Sequence, residues 1–137
     1  MRIIKTKCPA KINLYLKVKN LRKDGLHNIR SRFQLVDLYD ELVVKKTDCD
    51  FQIKSNINEK KFLKGNILRA AHYHLTQEIG ESLRCEVSLK KNIPIGAGLG
   101  GGSSNAASFL VAINKLYKLG LSTVSYTHLT LPTSSWV

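Results

Sequence analysis

Apolar and polar residues alternate along much of the first half of the chain. The alternation is clearest at Ile12, Leu14, Leu16 and Val18. A period of two is typical of a β-strand. Strands are therefore predicted over residues 2–7, 11–18, 29–36, 41–46 and 51–54, the last being a short edge strand. We expect Pro9 to separate the first two strands, residues 20–25 to form a turn, and residues 37–40 to form a corner.

The second half of the chain changes to a helical period. Asn66 is a suitable N-cap for a helix that ends at Gly80, with apolar positions at Ile67, Ala70, Ala71, Leu75 and Ile79. Residues 83–89 return to a strand pattern. A second helix is predicted over residues 103–119 and is closed by Gly120. Its expected inward-facing residues are Ala106, Ala107, Leu110, Ile113, Leu116 and Tyr117. This order of elements predicts a mixed α and β domain.

A glycine-rich run, PIGAGLGGGSSNAA, lies at residues 94–107, between the last predicted strand and the last predicted helix. Five of the seven residues at 96–102 are glycine. Because glycine lacks a Cβ atom, the backbone can adopt positive φ and approach a ligand closely, while the free N–H groups of the following helix favour an anion. The run predicts a phosphate-binding loop in preference to a flexible linker or a cap without a ligand.

Two common phosphate-binding motifs do not fit this run. Residues 96–101 match the spacing G-x-G-x-x-G, but a dinucleotide-binding fold also needs an acidic residue about twenty positions further on. Glu86 is the last carboxylate in the chain. A Walker P-loop needs Lys followed by Ser or Thr after its final glycine, whereas Gly102 is followed directly by Ser103 and Ser104.

The glycine-rich run instead resembles the ATP loop of the GHMP small-molecule kinases, which include galactokinase, homoserine kinase and mevalonate kinase. Two earlier segments, CPAKINLYL at residues 8–16 and RKDGLH at residues 22–27, resemble the members that act on a cytidine-diphosphate-linked methylerythritol. The resemblance covers residues 1–122. It implies an α+β GHMP-kinase N-terminal, ATP-binding domain of the ribosomal protein S5 domain 2-like type, truncated before the C-terminal domain.

The resemblance implies ATP as phosphate donor, together with Mg²⁺. The backbone amides near Gly100 and the hydroxyl groups of Ser103 and Ser104 would contact the phosphates or the metal. From the residues alone, Ser103 and Asn66 are also candidate helix caps and Lys91 a surface charge. The implied ATP-binding residues are Pro94, Ile95, Gly96, Ala97, Gly98, Leu99, Gly100, Gly101, Gly102, Ser103, Ser104, Asn66 and Lys91.

Lys11 is the catalytic residue that the resemblance implies. In a strand pattern alone, a lysine at this position is a solvated outward residue. In the resembling kinases this lysine lies beside the acceptor hydroxyl and pairs with a catalytic aspartate, where a cation offsets developing negative charge.

The implied substrate-binding residues are Asn13, Leu26 and His27. His27 would hydrogen-bond to the cytosine of the substrate. Leu26 stands where the family commonly has a tyrosine that stacks on the pyrimidine, and leucine offers no π face. From the residues alone, Asn13 is a polar residue at a sheet edge and His27 a surface histidine.

The resemblance implies direct in-line transfer of the γ-phosphoryl group to the 2-hydroxyl of a small-molecule substrate of the non-mevalonate isoprenoid pathway. The family's catalytic aspartate lies downstream of the glycine-loop helix, and no acidic residue follows Glu86 here. We therefore expect this fragment to have little or no activity and an exposed apolar face. Two alternatives stay open: another GHMP kinase, acting on mevalonate, homoserine or a sugar, and a non-catalytic RNA-binding module of the S5-like fold.

The net charge of +12 comes mostly from lysines scattered along the chain, and only 7% of the residues are aromatic. This distribution indicates a solvated surface and no nucleic-acid partner. The three cysteines are odd in number and widely spaced, which argues against a disulfide framework and a zinc site and favours a reducing cytoplasm. No metal site is predicted, since His72 and His74, two apart on a helix, face different ways. No membrane-spanning segment is predicted either.

The last residues of the chain differ from the rest. Residues 124–133, VSYTHLTLPT, carry no charge, have no counterpart in the family, and match the translation of a transposon end used in sequencing libraries. We expect residues 123–137 to be a disordered, non-native tail. Long-read resequencing of the source locus tests this expectation, because a native tail would be found there again.

Overall fold

The computed structural model of the chain describes residues 2–60, 62 and 65–122. Its centre is a four-stranded sheet in the order β1-β2-β4-β3. The strands are β1 (Ile3–Leu21), β2 (His27–Lys46), β3 (Gln52–Ser55) and β4 (Cys85–Lys90). The pairs β1–β2 and β2–β4 are antiparallel, and β3 runs parallel to β4 at the edge of the sheet. With helices α1 (Ile67–Ile79) and α2 (Gly101–Tyr117), this arrangement confirms the predicted α+β class.

Strands β1 and β2 are longer than predicted. Pro9 does not break β1, and residues 37–40 continue β2 without a corner, so both of these predictions are wrong. The register instead shifts between Pro9 and Lys11, and again between Asn13 and Tyr15. Such irregularities accommodate a proline, which has no N–H to donate, inside a continuous strand.

The bulge at Leu14 changes which residues share a face of the β1–β2 hairpin. Ile12 opposes Gln34, whereas Val18 opposes Ile29 and lies on the other face. The predicted alternation from Ile12 to Val18 therefore does not form one uniform apolar face. Ile12 and Val18 are 41% and 60% exposed, so this part of the hairpin lies outside the core.

The hydrophobic core forms where the two helices pack on the sheet, around Leu42, Val87 and Phe109. In α2, five of the six residues predicted to face inward are buried or half-buried, and Ala107 is exposed. Ala107 lies about 100° around the helix from buried Ala106, on the far side from Phe109. In α1 the predicted apolar position Ala70 is exposed, and Leu68 is buried in its place.

The ends of α1 agree with the prediction. The Asn66 side chain accepts a hydrogen bond of 2.9 Å from the N–H of Leu68, and Gly80 closes the helix with a φ of +75°. Helix α2 starts at Gly101, two residues before its predicted start, and its C-cap is Lys118, not Gly120.

All three cysteines are free, and burial raises the pKa of the Cys85 thiol to about 12. Among the described residues, no helix has the length and apolar character needed to cross a bilayer. The predicted tail at residues 123–137 lies outside the described residues.

Candidate functional site

The glycine-rich run forms a loop between β4 and α2, and this loop lines a cavity of about 330 Å³. Gly96, Gly98 and Gly100 have φ values of +73°, +73° and +69°, in the left-handed region predicted for this run. Asn66 and Lys91 line the same cavity. The structure therefore brings together the predicted residues Asn66, Lys91, Pro94, Ile95, Gly96, Ala97, Gly98, Leu99, Gly100, Gly101 and Gly102.

The N-terminus of α2 faces this cavity. Its N-cap is Gly100, which provides no side-chain hydrogen bond to the first turn. The first bond within the helix runs from the N–H of Ser104 to the carbonyl of Gly100, at 3.0 Å. The uncapped N–H groups before Ser104 and the positive end of the helix dipole make this position suitable for an anion.

Ser103 and Ser104 lie in the first turn of α2 and are half-buried. Ser103 is not the N-cap, because the helix already begins at Gly101. Neither serine is among the residues that line the cavity, although Gly102, the residue before them, does line it. The two serines therefore follow the cavity-lining residues directly without lining the cavity themselves.

Lys11 lies against the glycine loop. Its backbone N–H donates a hydrogen bond of 2.9 Å to the carbonyl of Leu99. Its side chain passes so close to Gly100 that a Cβ atom there would lie 3.0 Å from Lys11 Cε. Gly100 is thus required both for its positive φ and for this close approach. The lysine predicted to be catalytic is next to the predicted phosphate site, though the two are far apart in sequence.

Asn13 lies on the same face of the hairpin as Lys11. Lys11 opposes Leu35 and Asn13 opposes Phe33, and the register does not shift between these two pairs, so the side chains two residues apart share a face. Its Oδ1 accepts a long hydrogen bond, 3.5 Å, from the Ser31 hydroxyl. Asn13 therefore extends the site from the glycine loop along the hairpin.

Leu26 and His27 are not brought to the glycine loop. They lie at the tip of the hairpin, where the N–H of Leu26 donates to Asp24 Oδ1 at 3.1 Å and Gly25 has a φ of +82°. His27 is eight residues before Leu35, the partner of Lys11, which is about 26 Å along the strand at about 3.3 Å per residue. Leu26 is 62% exposed. Only a long ligand that follows the hairpin can contact both ends.

A buried polar cluster beneath the glycine loop was missed by the sequence reasoning. Its centre is Asp40, which is fully buried and accepts a bond of 2.5 Å from Lys91 Nζ and one of 2.9 Å from Asn105 Nδ2. Lys91 Nζ also donates to Asn105 Oδ1 at 3.0 Å. Burial by itself raises the pKa of Asp40, but the hydrogen bonds from its donors outweigh it and hold that pKa below its ordinary value.

The available signal for this cluster was an aspartate directly before the apolar segment at 42–44, together with an asparagine inside the glycine-rich motif. The sequence pattern predicts a corner at the first and no separate role for the second. Lys91 also belongs to this cluster. Its ammonium group is bound to Asp40 and Asn105, and the side chain is only 6% exposed, so it is not a surface charge.

No metal centre is evident in the part of the chain that the structure describes, since it contains no group of three His, Cys, Asp or Glu side chains that could hold an ion. His72 has a structural environment. Its ring stacks on Phe51 at 4.0 Å, and its Nε2 lies 2.7 Å from the carbonyl of Leu83. Because a carbonyl can only accept, Nε2 carries the proton.

Comparison with known proteins agrees with this geometry. The family model "GHMP kinases N terminal domain" matches residues 66–134. The 4-diphosphocytidyl-2-C-methyl-D-erythritol kinase of Ruthia magnifica is 45% identical over 109 residues, which are 80% of this chain and 38% of that protein. The enzyme of the same name from Prochlorococcus marinus strain MED4 is 44% identical over 117 residues, 84% of this chain and 38% of that protein.

A crystal structure of 4-(cytidine 5'-diphospho)-2C-methyl-D-erythritol kinase superposes with a TM-score of 0.80 at 30% identity, over 95% of this chain and 47% of that one. The chain thus spans less than half the length of these relatives. Half of the chain matches the family model, and that half contains the glycine loop, α2 and most of the residues that line the cavity. The chain therefore belongs to the GHMP kinase family and contains its N-terminal domain.

Proposed function

We propose that the protein transfers the γ-phosphoryl group of ATP to the 2-hydroxyl of 4-diphosphocytidyl-2-C-methyl-D-erythritol, in the cytoplasm, as a step of non-mevalonate isoprenoid synthesis. The observation that carries this proposal is the contact of Lys11 with a glycine loop at an uncapped helix N-terminus. The names of the relatives supply the acceptor. Because the chain spans 38% to 47% of those relatives, the activity is proposed for the whole protein.

The cavity beside the glycine loop suits the phosphates of ATP. The glycines of the loop have no side chains that would keep a phosphate away from the backbone. The N–H groups at the start of α2, which have no capping side chain, can donate to phosphate oxygens. The positive dipole end and the nearby Lys11 and Lys91 ammonium groups offset the negative charge. Asn66 and Ile67 also line the cavity, and the nucleoside of ATP would lie next to them.

The described residues fit Mg²⁺ only in part. No carboxylate lines the described part of the cavity, and Ser103 and Ser104, whose hydroxyls are candidate oxygen ligands, follow Gly102 in the first turn of α2. Mg²⁺ commonly keeps several waters and is held largely by substrate phosphates. When bound, it would neutralise charge on the transferring phosphoryl group, with these two serines as the ligands from this chain.

The acceptor would lie along the hairpin face that starts at Lys11. Lys11 would offset the negative charge that develops at the acceptor hydroxyl, and Asn13 would hold the sugar alcohol near it. The diphosphate and cytidine would extend toward His27 at the hairpin tip, where Leu26 would pack on the base without π stacking. A substrate with two ends joined by a diphosphate is an elongated ligand of the kind that such a site would take.

The transfer is proposed to be in-line, without a covalent enzyme intermediate, so positioning and electrostatics supply most of the acceleration. The only carboxylate near the described phosphate site, Asp40, is fully buried and fully hydrogen-bonded, so it cannot serve as the base. No acidic residue follows Glu86 in this sequence. We therefore expect the isolated chain to show little or no turnover.

The test is a kinase assay on the product of the gene recovered to its natural stop codon. ATP and Mg²⁺ are offered with 4-diphosphocytidyl-2-C-methyl-D-erythritol, and with mevalonate and homoserine as controls. We expect turnover of the first compound alone, and Lys11→Ala should lower kcat by about 10²- to 10³-fold, as the loss of a group that stabilises transition-state charge does. Lys5→Ala, an exposed lysine of the same strand, is the matched control and should keep full activity.

Other outcomes would separate the alternatives. Turnover of mevalonate or homoserine would keep the phosphate site and refute the proposed acceptor. Inactivity on all three, combined with tight RNA binding that weakens steeply with salt, would favour the RNA-binding module.

A further inference from the structure

Asp40 is the most completely enclosed charged group among the described residues, and all its hydrogen-bond partners are donors. Its Oδ1 accepts from the backbone N–H of Asn92 at 2.7 Å and of Ile93 at 2.8 Å. Its Oδ2 accepts from Lys91 and Asn105. Four donors around two oxygens require a carboxylate, because the amide of asparagine would place an NH₂ group against two other donors.

These bonds join three parts of the fold at one side chain. Asp40 belongs to β2, Asn92 and Ile93 begin the segment that leads from β4 into the glycine loop, and Asn105 lies in the second turn of α2. One carboxylate therefore sets the position of both ends of the loop relative to the sheet.

The cluster also holds a positive charge under the start of α2. A Cβ atom at Gly101 would lie 3.1 Å from Lys91 Nζ and 3.0 Å from Ile93 Cγ2, so two of the four partners of Asp40 lie directly against Gly101. Two N–H bonds of the ammonium are used by Asp40 and Asn105. Lys91 also lines the cavity, and its third N–H would be the one that meets a ligand there.

We propose that Asp40 is a positioning residue for the phosphate site: it holds the two ends of the glycine loop and directs the Lys91 ammonium group to the floor of the cavity. Stability alone does not explain the cluster, because replacing a buried ion pair by packed apolar side chains is often neutral or stabilising. A fixed loop explains it, because phosphate-binding amides act only when they are held in place before the ligand arrives.

The experiment compares the parent chain with Asp40→Asn, with the exchange pair Asp40→Asn/Asn105→Asp, and with Asp37→Asn as the matched control. Asp37 is exposed on the same strand. The exchange pair keeps the net charge and gives Lys91 a carboxylate at the position of Asn105. Its new asparagine at 40 can still accept from Asn92 and Ile93 and can donate to the carboxylate at 105.

The first readout is amide hydrogen exchange without nucleotide, at Asn92, Ile93 and Ser104 and, for reference, along the outer β1–β2 hairpin. We expect Asp40→Asn to speed exchange at those three amides by about tenfold or more, which is the effect of leaving buried donors unpaired. The hairpin amides should stay within about twofold of the parent. The double variant Asp40→Asn/Asn105→Asp should recover most of the difference in amide exchange rate, and Asp37→Asn should exchange at the rate of the parent.

Unchanged exchange at the three amides, or an equal increase throughout the sheet, would overturn the proposal. If Asp40→Asn does not fold, Asn105→Ala is the deciding variant, since it removes the bonds of Asn105 to Asp40 and Lys91 and keeps those of Asp40 to Asn92 and Ile93. Exchange should then rise at Ser104 and not at Ile93, and a rise at Ile93 alone or at neither amide would overturn the proposal.

The link to phosphate binding rests on the proposed function and has a separate readout, the affinity of the whole protein for ATP in calorimetry. We expect Asp40→Asn to weaken it by about tenfold. A parent protein that binds no ATP would refute the proposed function while leaving the exchange result to stand by itself. Unchanged affinity in a variant whose loop exchanges faster would overturn the link between loop position and binding.

Discussion

Gly101 and Gly102 are consecutive residues in the first turn of α2, but only Gly102 has room for a side chain. A Cβ atom at Gly101 would lie 3.0 Å from Ile93 Cγ2, whereas one at Gly102 would meet nothing within 4 Å. We expect Gly101→Ala to lower the free energy of unfolding by about 1–3 kcal/mol, because Ile93 and Lys91 would have to move. Gly102→Ala should raise it by about 0.5 kcal/mol, because alanine loses less backbone entropy in a helix.

Urea unfolding followed by circular dichroism measures both changes. Gly102→Ala is the control for helix propensity at this turn. Equal effects of the two substitutions would show that crowding under Gly101 is not important. At this scale, the density of glycines predicted that the loop would need them, but which glycine meets a neighbour depends on Ile93 and Lys91 and was not predictable.

Helix α1 shows what can be predicted for a single element. Its caps, Asn66 and Gly80, act through hydrogen bonds to residues within four positions of them, so they could be identified from the sequence. The bounds of β1 and β2 could not be identified from the sequence. Pairing between these strands continues β1 past Pro9 and β2 past residues 37–40. The helical period also did not determine which side of α1 faces the core: Leu68 is buried there, whereas Ala70, predicted to be apolar and inward, is exposed.

The packing of α1 predicts a pH dependence of stability. Burial lowers the pKa of His72 below its ordinary value, although the hydrogen bond to Leu83 opposes this. The folded chain therefore binds the proton less readily than the unfolded chain. The resulting stability is fully present above the unfolded pKa of about 6.5 and is lost as the pH falls toward the folded pKa.

We expect His72→Phe, which keeps a ring against Phe51, to make the fall in unfolding free energy between about pH 7.5 and pH 5 shallower. Urea unfolding at a series of pH values measures this slope. His74→Phe is the matched control on the same helix, because His74 is exposed, and should keep the slope of the parent. A slope unchanged in His72→Phe would refute the assignment.

At the scale of the whole molecule, the outer part of the β1–β2 hairpin presents an apolar face. The register places Val18, Ile29, Leu16, Phe33 and Leu35 on the face that begins at Lys11. Each is at least 55% exposed, which agrees with the expected exposed apolar face of this chain. Five exposed apolar side chains on one face are unusual for an isolated monomer.

We expect the isolated chain to bind a hydrophobic fluorescent dye through this face. Phe33→Ser should lower the dye fluorescence, because it removes the largest side chain of the face. Tyr73→Ser is the matched control, since Tyr73 on α1 is 60% exposed, against 59% for Phe33, but lies outside the face. An equal decrease in both variants would show that the dye does not recognise the hairpin.

The sequence by itself determined the features that depend on neighbouring residues: the caps of α1, the strand and helix periods, and a loop whose glycines permit positive φ. The motifs around Lys11 and the glycine loop were also sufficient to indicate the family. Only the tertiary structure decided that Lys11 lies against Gly100, that a bulge at Leu14 turns the hairpin residues to different faces, and that Asp40 holds Lys91 across 51 positions of sequence. The reason is physical. Local backbone preferences act over a few residues, whereas strand register and the pairing of buried charges are settled only when distant segments pack together.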